Sequence, residues 1–252
     1  MPLIDNHAHL YEDVFNEDID NVVKKIKDSN VEKVILQNTE VDSIKPAIEL
    51  EKKYPNLFKS MLGIHPDNLD ENNYKSQIDI LLKAFDEWHY VGIGEVGLDY
   101  YESKISKRVQ QDFLHVMLNF AKSKNVPLSL HIRNAHEDAI KILTQHQDGN
   151  LKACIHCFSG SLDEAKTYID LNLFLGIGGI ITFKNNKLQN IIKFLPLDKI
   201  LTETDGPCLA PEPLRGTRND SSNLIHIVNK IADIFDMSYD EIVKSINQMV
   251  YN

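Results

Sequence analysis

Three cysteines are all that this chain of 252 residues contains. An odd and small number of cysteines does not build the disulfide framework of a secreted protein. We therefore expect free thiols and a reducing, cytoplasmic environment. The first strand pattern begins at Leu3, which leaves no room for a signal peptide ahead of it and supports the same expectation.

Long apolar segments are also missing from the sequence. No run approaches the roughly 18 apolar residues that a membrane-spanning helix needs, so we predict a soluble protein with no membrane contact. The sequence Gly-x-Gly-x-x-Gly does not follow the first predicted strand, which removes the support for a dinucleotide-binding fold.

Positive charge is in deficit. The chain has 27 Lys and Arg against 37 Asp and Glu, a formal net charge of -10. Proteins that hold nucleic acid on a broad basic surface gain affinity by neutralising phosphates with Lys and Arg, and this composition argues against that class. If the substrate is an anion, cations gathered locally must attract it.

Short apolar runs alternate with helical periodicity along the chain. Ile19, Val22, Val23 and Ile26 recur on one helical face, and a strand at residues 34–36 follows, which completes a β-α-β unit with the strand from Leu3. The pattern then repeats. Six further strands are predicted near residues 59–64, 90–95, 127–131, 153–156, 173–177 and 199–202, and a helix around residues 242–246 closes the chain.

These strands are continuous apolar runs, which are typical of a parallel sheet covered by helices on both faces. Eight β-α units in this length predict an α/β fold of the TIM type, a (β/α)8 barrel that forms a single domain over residues 1–252. An open, doubly wound sheet is the competing architecture.

The segment Asp5-Asn6-His7-Ala8-His9 carries the first sign of chemistry. Residues two apart on a strand share a face, so Asp5, His7 and His9 should project the same way. Two imidazoles at the end of a strand suit a metal ion, although histidines satisfied by other polar groups would give the same pattern.

Polar residues fall at the ends of other predicted strands as well. His65, Glu95, His131 and His156 end the third to sixth strands, and Asp205 follows the eighth. In a β/α barrel the site lies at the carboxyl ends of the strands, so these side chains should meet His7 and His9 there. The remaining five histidines fall in helices or loops.

Eight short motifs occur in order from residue 5 to about residue 219. They are Asp-Asn-His-Ala-His-Leu from 5, Gly-Ile-His-Pro from 63, Gly-Glu-Val-Gly-Leu-Asp-Tyr from 94, His-Ile-Arg from 131, His-Cys-Phe-Ser-Gly from 156, Thr-Phe-Lys from 182, Glu-Thr-Asp-Gly-Pro from 203 and Arg-Gly-Thr-Arg-Asn from 215. In these motifs the chain resembles the TatD family of metal-dependent hydrolases and deoxyribonucleases, within the wider amidohydrolase-like barrels.

The resemblance implies a centre for two divalent metal ions, with Mg, Zn and Mn as candidates. It implies one ion bound by His7, His9, Glu95 and Asp205, and a second bound by the bridging Glu95 together with His131 and His156. Four neutral imidazoles and two carboxylates offset only two of the four positive charges, which leaves a local charge of about +2. An acidic protein can thus offer a cationic pocket to a phosphate. Asp5, deeper on its strand, is expected to support the site rather than bind metal.

We accordingly predict a metal-dependent nuclease, a deoxyribonuclease of the exonuclease type that cleaves single-stranded DNA or 3' ends with a metal-activated water. Glu95 and Asp205 are the predicted catalytic residues, and Asp205 also helps to take the proton. Substrate contacts are predicted for His65, Arg133, Lys184, Arg215 and Arg218. The protein is expected to be a monomer or weak oligomer.

Two other functions remain open on the sequence alone. A related barrel hydrolase acting on a small amide, ester or lactone would use the same metals, because activated water attacks a carbonyl as readily as a phosphoryl centre. A metal-binding scaffold without activity is the second alternative.

Two further details concern strands six and seven. Cys154 and Cys157 have the spacing of a redox pair, but they lie on a predicted strand with opposite orientations, so we expect a packed Cys154 and no redox function. Gly176, Gly178 and Gly179 remove side-chain bulk near strand seven, which should let a ligand or backbone approach closely.

Overall fold

Eight parallel strands and the helices between them form the computed structural model, which describes residues 2–246. The strands are β1 Leu3–Ala8, β2 Val31–Leu36, β3 Phe58–Leu62, β4 Gly92–Asp99, β5 Leu128–Arg133, β6 Ala153–His156, β7 Phe174–Ile177 and β8 Ile200–Thr202. They pair in sequence order from β1 to β8. The predicted (β/α)8 barrel is confirmed as one domain. Met1 and residues 247–252 of the predicted domain lie outside the described residues.

Backbone contacts between the end of β1 and the segment after β8 bring the two edges of the sheet together. Ala8 forms a parallel bridge with Gly206, and the N–H of His9 donates to the carbonyl of Gly206 at 2.7 Å. The N–H of Asp205 donates to the carbonyl of His7 at 2.9 Å. Residues from the two ends of the chain therefore lie side by side at the carboxyl ends of the strands.

Helices cover the outside of the barrel in the described part of the chain. They are α1 Ile19–Asp28, α2 Ile44–Lys53, α3 Tyr74–Glu87, α4 Lys107–Lys124, α5 His136–His146, α6 Leu162–Asp170, α7 Leu188–Ile192, α8 Leu224–Phe235 and α9 Tyr239–Ile246. None of these helices is long and apolar enough to cross a membrane.

Local sequence sets where these helices begin and which face they bury. Val22, Val23 and Ile26 of α1 recur on one face and are buried against the barrel. Ser161 caps α6 by accepting the N–H of Glu164, and the Glu164 carboxylate accepts the N–H of Ser161 in return. The predicted face of α1 and the C-terminal helix over residues 242–246 are thus confirmed.

The predicted strand ends are wrong by a few residues in three places. β4 does not end at Glu95 but runs on to Asp99, because pairing with β5 resumes after a register shift between Ile93 and Val96. His131 lies inside β5, and His65 lies three residues beyond the end of β3. Glu95 therefore projects from the middle of a strand, next to an irregularity that redirects its side chain.

Candidate metal centre

Four imidazoles surround the carboxylate of Glu95 at the carboxyl end of the barrel. Oε2 of Glu95 lies 3.2 Å from Nε2 of His7 and 3.5 Å from Nε2 of His9. Oε1 lies 3.0 Å from Nδ1 of His131 and 3.9 Å from Nε2 of His156. Oε2 thus faces His7 and His9, while Oε1 faces His131 and His156, and the rings of His7 and His156 stack with their centroids 3.4 Å apart.

Asp205 completes the cluster from the loop after β8. Its Oδ1 lies 3.4 Å from Nε2 of His9 and 3.8 Å from Nε2 of both His7 and His156. The side chain is 16% exposed, against 4% for that of Glu95. The structure therefore brings together all six residues predicted as ligands and places Asp205 at the solvent side.

The outward ring nitrogens identify the donor atoms that face the centre. Nδ1 of His9 lies 3.0 Å from the carbonyl oxygen of Gln37, which can only accept, so the proton belongs on Nδ1. Nε2 of His131 lies 2.9 Å from Oδ2 of Asp99, and Nδ1 of His156 lies 2.8 Å from Oε1 of Glu203. In the neutral rings of His9 and His131 the inner nitrogen is then a lone pair directed at Glu95 or Asp205. Such a set of converging acceptors fits divalent cations.

The pKa values of the clustered residues also indicate a site that fits divalent cations. Burial lowers the pKa of His131, but Asp99 and Glu95 outweigh it and raise the pKa to about 9. Burial also lowers the pKa of His156, which the charges of Glu203 and Asp205 raise to about 9. Burial opposes ionisation of Glu95, yet the surrounding imidazoles hold its pKa well below the usual range. Negative charge at the centre thus attracts protons or, in their place, metal cations.

His65 differs from His9 and His131 in directing its protonated nitrogen toward the centre. Its Nδ1 accepts the backbone N–H of Asp67 at 3.2 Å. In the neutral ring the proton is then on Nε2, which lies 3.7 Å from Oε1 of Glu95. His65 therefore directs a hydrogen-bond donor, rather than a lone pair, toward the centre.

Glu203 is a functional candidate that the sequence reasoning missed. Besides its contact with His156, Oε1 accepts the backbone N–H of Cys157 at 2.6 Å. A Cβ atom at Gly176 would lie 2.4 Å from Oε2 of Glu203, so only glycine leaves room for this buried carboxylate. The prediction that glycines near β7 let a ligand or backbone approach closely is confirmed at Gly179, where the backbone carbonyl of Leu209 leaves no room for a Cβ, whereas the group that approaches Gly176 is a side chain. Asp99, behind His131, was missed in the same way.

Asp5 supports the centre from beneath, as predicted. Its carboxylate accepts the backbone N–H of Thr204 at 2.9 Å and the Thr204 hydroxyl at 2.5 Å. Burial raises the pKa of Asp5 to about 6, although the hydrogen bonds from Thr204 oppose the shift. The contact fixes the backbone immediately before Asp205.

A cavity of about 330 Å³ opens onto the cluster and is lined in part by Arg133, Ser159, Ile180 and Leu209. The guanidinium of Arg133 lies over the ring of Tyr101 at 4.3 Å and pairs with the carboxylate of Glu102. Arg133 is thus the predicted substrate contact that the structure places at the mouth of the site.

The other predicted cations lie on exposed loops. Lys184 is exposed, and the guanidinium of Arg215 lies 4.2 Å from the centre of the Phe183 ring. Arg218 is engaged by the carboxylate of Asp18 through contacts of 3.0 and 2.6 Å. A phosphate would have to compete with Asp18 for Arg218.

The cysteines agree with expectation. Cys154 is buried, Cys157 is partly exposed and Cys208 is exposed, and all three are free thiols. Cys157 has a φ of 46°, which takes it out of the strand that holds Cys154. This geometry gives no redox pair.

Comparison with known proteins bears on the whole chain. The sequence model of the family described as TatD related DNase matches residues 4–252. YabD of Bacillus subtilis, an uncharacterized metal-dependent hydrolase, is 33% identical over 242 residues, which cover 95% of this chain and 94% of YabD. The 3'-5' ssDNA/RNA exonuclease TatD of Salmonella typhimurium is 29% identical over 236 residues, which cover 91% of this chain and 90% of that protein.

A solved structure supports the same relationship. The crystal structure of YJJV, a TatD homolog from Escherichia coli k12, matches with a TM-score of 0.86 and 26% identity, over 97% of this chain and 95% of that one. Sequence, fold and the cluster of metal-binding side chains thus agree, and the chain belongs to the TatD family of metal-dependent hydrolases.

Proposed function

We propose that this protein is a deoxyribonuclease that hydrolyses phosphodiester bonds of DNA, acting as an exonuclease on single-stranded DNA or 3' ends. The observation that carries the proposal is the carboxylate of Glu95, whose Oε2 faces His7 and His9 and whose Oε1 faces His131, His156 and His65. This arrangement suits two divalent cations, with Mg, Zn or Mn as candidates, held by His7, His9, Glu95, His131, His156 and Asp205.

When bound, two such ions would supply a water acidic enough to ionise near neutral pH and would stabilise the attacking and leaving oxygens of the phosphate. Asp205 is placed to take the proton of that water, because its carboxylate lies at the solvent side of the cluster, and its lowered pKa keeps it ionised and able to accept. Burial opposes this ionisation, and the charges of the neighbouring imidazoles outweigh it. Glu95 fixes the position of His7 and His9 relative to His131 and His156.

Substrate binding is assigned to residues around the mouth. His65 directs its Nε2–H inward, where a phosphate oxygen can accept it. Arg133 faces the cavity and provides a fork suited to a second phosphate oxygen. We also retain Lys184, Arg215 and Arg218 as weaker candidates on the surrounding loops.

Single-stranded DNA is favoured over duplex by two pairs of aromatic and cationic side chains. Arg133 lies over the ring of Tyr101, and Arg215 lies over the ring of Phe183. Phe183 directly follows a short helix that includes Ile180, which lines the cavity. Aromatic rings next to cations bind the bases and backbone of single strands with little regard to sequence. The relative in Salmonella typhimurium is a 3'-5' ssDNA/RNA exonuclease, which supports the same class of substrate.

Cleavage of end-labelled oligonucleotides tests the proposal. Single-stranded DNA, duplex DNA and single-stranded RNA are incubated with the protein in Mg²⁺, Mn²⁺, Zn²⁺ or chelator. We expect metal-dependent shortening of single-stranded DNA from the 3' end and loss of turnover, with retained folding, in Asp205→Asn. Asp233→Asn on α8 is the matched control and should remain active.

One outcome would contradict the proposed nuclease activity. Metal-dependent hydrolysis of small amide, ester or lactone substrates without cleavage of any of the three nucleic acids would assign the centre to small-molecule chemistry. Sedimentation and cell fractionation test the further expectation of a cytoplasmic monomer or weak oligomer.

A further inference from the structure

Asp99 ends β4 and is 1% exposed, directly behind the ring of His131. Its two oxygens have separate partners. Oδ2 lies 2.9 Å from Nε2 of His131. Oδ1 accepts the backbone N–H groups of Tyr101 and Glu102, each at 2.8 Å. The backbone of the next loop therefore fixes the orientation of this carboxylate.

The contact with Asp99 determines which nitrogen of His131 faces the centre. A carboxylate accepts hydrogen bonds, so Asp99 holds a ring proton on Nε2, and this is the one proton that remains when the neutral ring offers Nδ1 to a cation. The other nitrogen, Nδ1, lies 3.0 Å from Oε1 of Glu95. His131 is thus turned differently from His7 and His9, which face Glu95 through Nε2. With the proton moved to Nδ1, His131 would present a hydrogen atom to the centre instead of a lone pair.

We propose that Asp99 is a positioning residue, which keeps the proton of His131 on Nε2 and so leaves Nδ1 available to a divalent cation. The inference rests on the proposed metal centre and does not depend on the choice of substrate. Partners of this kind behind a ligating histidine change metal affinity by roughly 10- to 100-fold.

The replacement Asp99→Asn separates positioning from packing, because the amide has nearly the shape of the carboxylate. The amide oxygen must stay on the side where Tyr101 and Glu102 each donate an N–H. The amide NH2 group then faces Nε2 of His131, where a donor would meet a donor. The ring relieves this conflict by carrying its proton on Nδ1, which removes the lone pair from the centre.

Zinc binding and nitrogen NMR measure both parts of the inference. Metal-free wild type and Asp99→Asn are titrated with Zn²⁺ by calorimetry and by competition with a chelator of known affinity. We expect Asp99→Asn to bind one equivalent of zinc at least about tenfold more weakly than the wild type. In ¹⁵N-histidine spectra of the zinc-loaded wild type, we expect His131 to carry its proton on Nε2 and zinc on Nδ1.

Asp138→Asn is the matched control. The Asp138 carboxylate accepts the hydroxyl of Tyr100, the residue after Asp99, at 2.9 Å and also accepts from the side-chain amide of Gln111, so these hydrogen bonds do not involve a clustered histidine. Asp138→Asn removes one negative charge, as Asp99→Asn does, and should leave the affinity for both zinc equivalents and the His131 signal unchanged.

Three results would overturn the inference. Asp99→Asn could bind zinc with affinities within about threefold of the wild type, or the wild-type spectrum could show a proton on Nδ1 of His131. The spectrum needs no variant, so it decides the matter even if Asp99→Asn does not fold. A wild type that binds no zinc would overturn the metal centre itself, whereas a zinc-binding protein without nuclease activity would contradict only the proposed substrate.

Discussion

Thr204 donates both its backbone N–H and its hydroxyl to the carboxylate of Asp5, at 2.9 and 2.5 Å. The two residues are 199 positions apart, and both are buried. Asp5 lies on β1 with His7, and Thr204 precedes Asp205. This pair therefore sets the distance between the first and last groups of the cluster.

Replacement of Thr204 by Val should lower stability. Val has nearly the same shape but cannot donate to Oδ2 of Asp5, and an unsatisfied buried acceptor costs about 1–3 kcal/mol. Urea unfolding measures the change. Thr144→Val removes an exposed hydroxyl that bonds within α5 and should shift stability by less than about 0.5 kcal/mol. Equal unfolding midpoints for the two variants would contradict a structural role for the Thr204 hydroxyl.

Gly176→Ala should disturb Glu203, whereas Gly178→Ala should not. A Cβ at Gly176 would lie 2.4 Å from Oε2 of Glu203, but at Gly178 the nearest atom would be 3.7 Å away, an ordinary contact. Overpacking of this kind costs about 1–3 kcal/mol. We expect a lower melting temperature and weaker zinc binding for Gly176→Ala alone. Equal melting temperatures and equal zinc binding for the two variants would show that Glu203 can move aside without loss of stability or metal affinity.

Arg133→Ala and Glu102→Gln should change the Michaelis constant for an oligonucleotide in opposite directions. Arg133→Ala removes a cation at the mouth and should raise KM roughly tenfold, the value of one charge-assisted hydrogen bond. Glu102→Gln removes the carboxylate that pairs with Arg133 and should lower KM. Arg108→Ala, whose partner Asp112 lies one turn away on α4, is the control. An unchanged KM in both test variants would remove Arg133 from the binding site.

Metal affinity should fall as the pH is lowered from about 9 toward 6. The pKa values of His131 and His156 are raised to about 9 by neighbouring carboxylates, so both rings are protonated below that pH and must lose a proton to bind a cation. Calorimetry in buffers of different ionisation enthalpy measures the protons released. Replacement of His226, on α8, should leave this dependence unchanged. A metal affinity that does not change between pH 6 and pH 8.5 would contradict the prediction.

The cluster of six side chains could be predicted from the sequence because residues at the carboxyl ends of successive barrel strands lie close together in space. His7, His9, His156 and Asp205 each stand at or just past the carboxyl end of an apolar run, and parallel strands bring such ends together. The position of Glu95 was predicted for the wrong reason, since β4 continues beyond it. Its place in the cluster follows from the register shift, which the sequence does not display.

Asp99 and Glu203 escaped prediction although both stand inside the quoted motifs. Their importance depends on which nitrogen of a neighbouring ring faces inward, and residue spacing carries no information on ring orientation. Arg218 illustrates the same limit at the surface. Its partner Asp18 is 200 positions away, so only the folded barrel shows that this cation is already engaged.

The closure of the barrel between Ala8 and Gly206 also dictates when the centre can exist. Synthesis delivers His7 and His9 first and Asp205 only after nearly two hundred further residues. Until β8 docks against β1, the early histidines lack their last carboxylate partner, and contacts so distant in sequence form late in folding. A growing chain therefore has no complete metal centre, and hydrolytic activity begins only when the barrel closes.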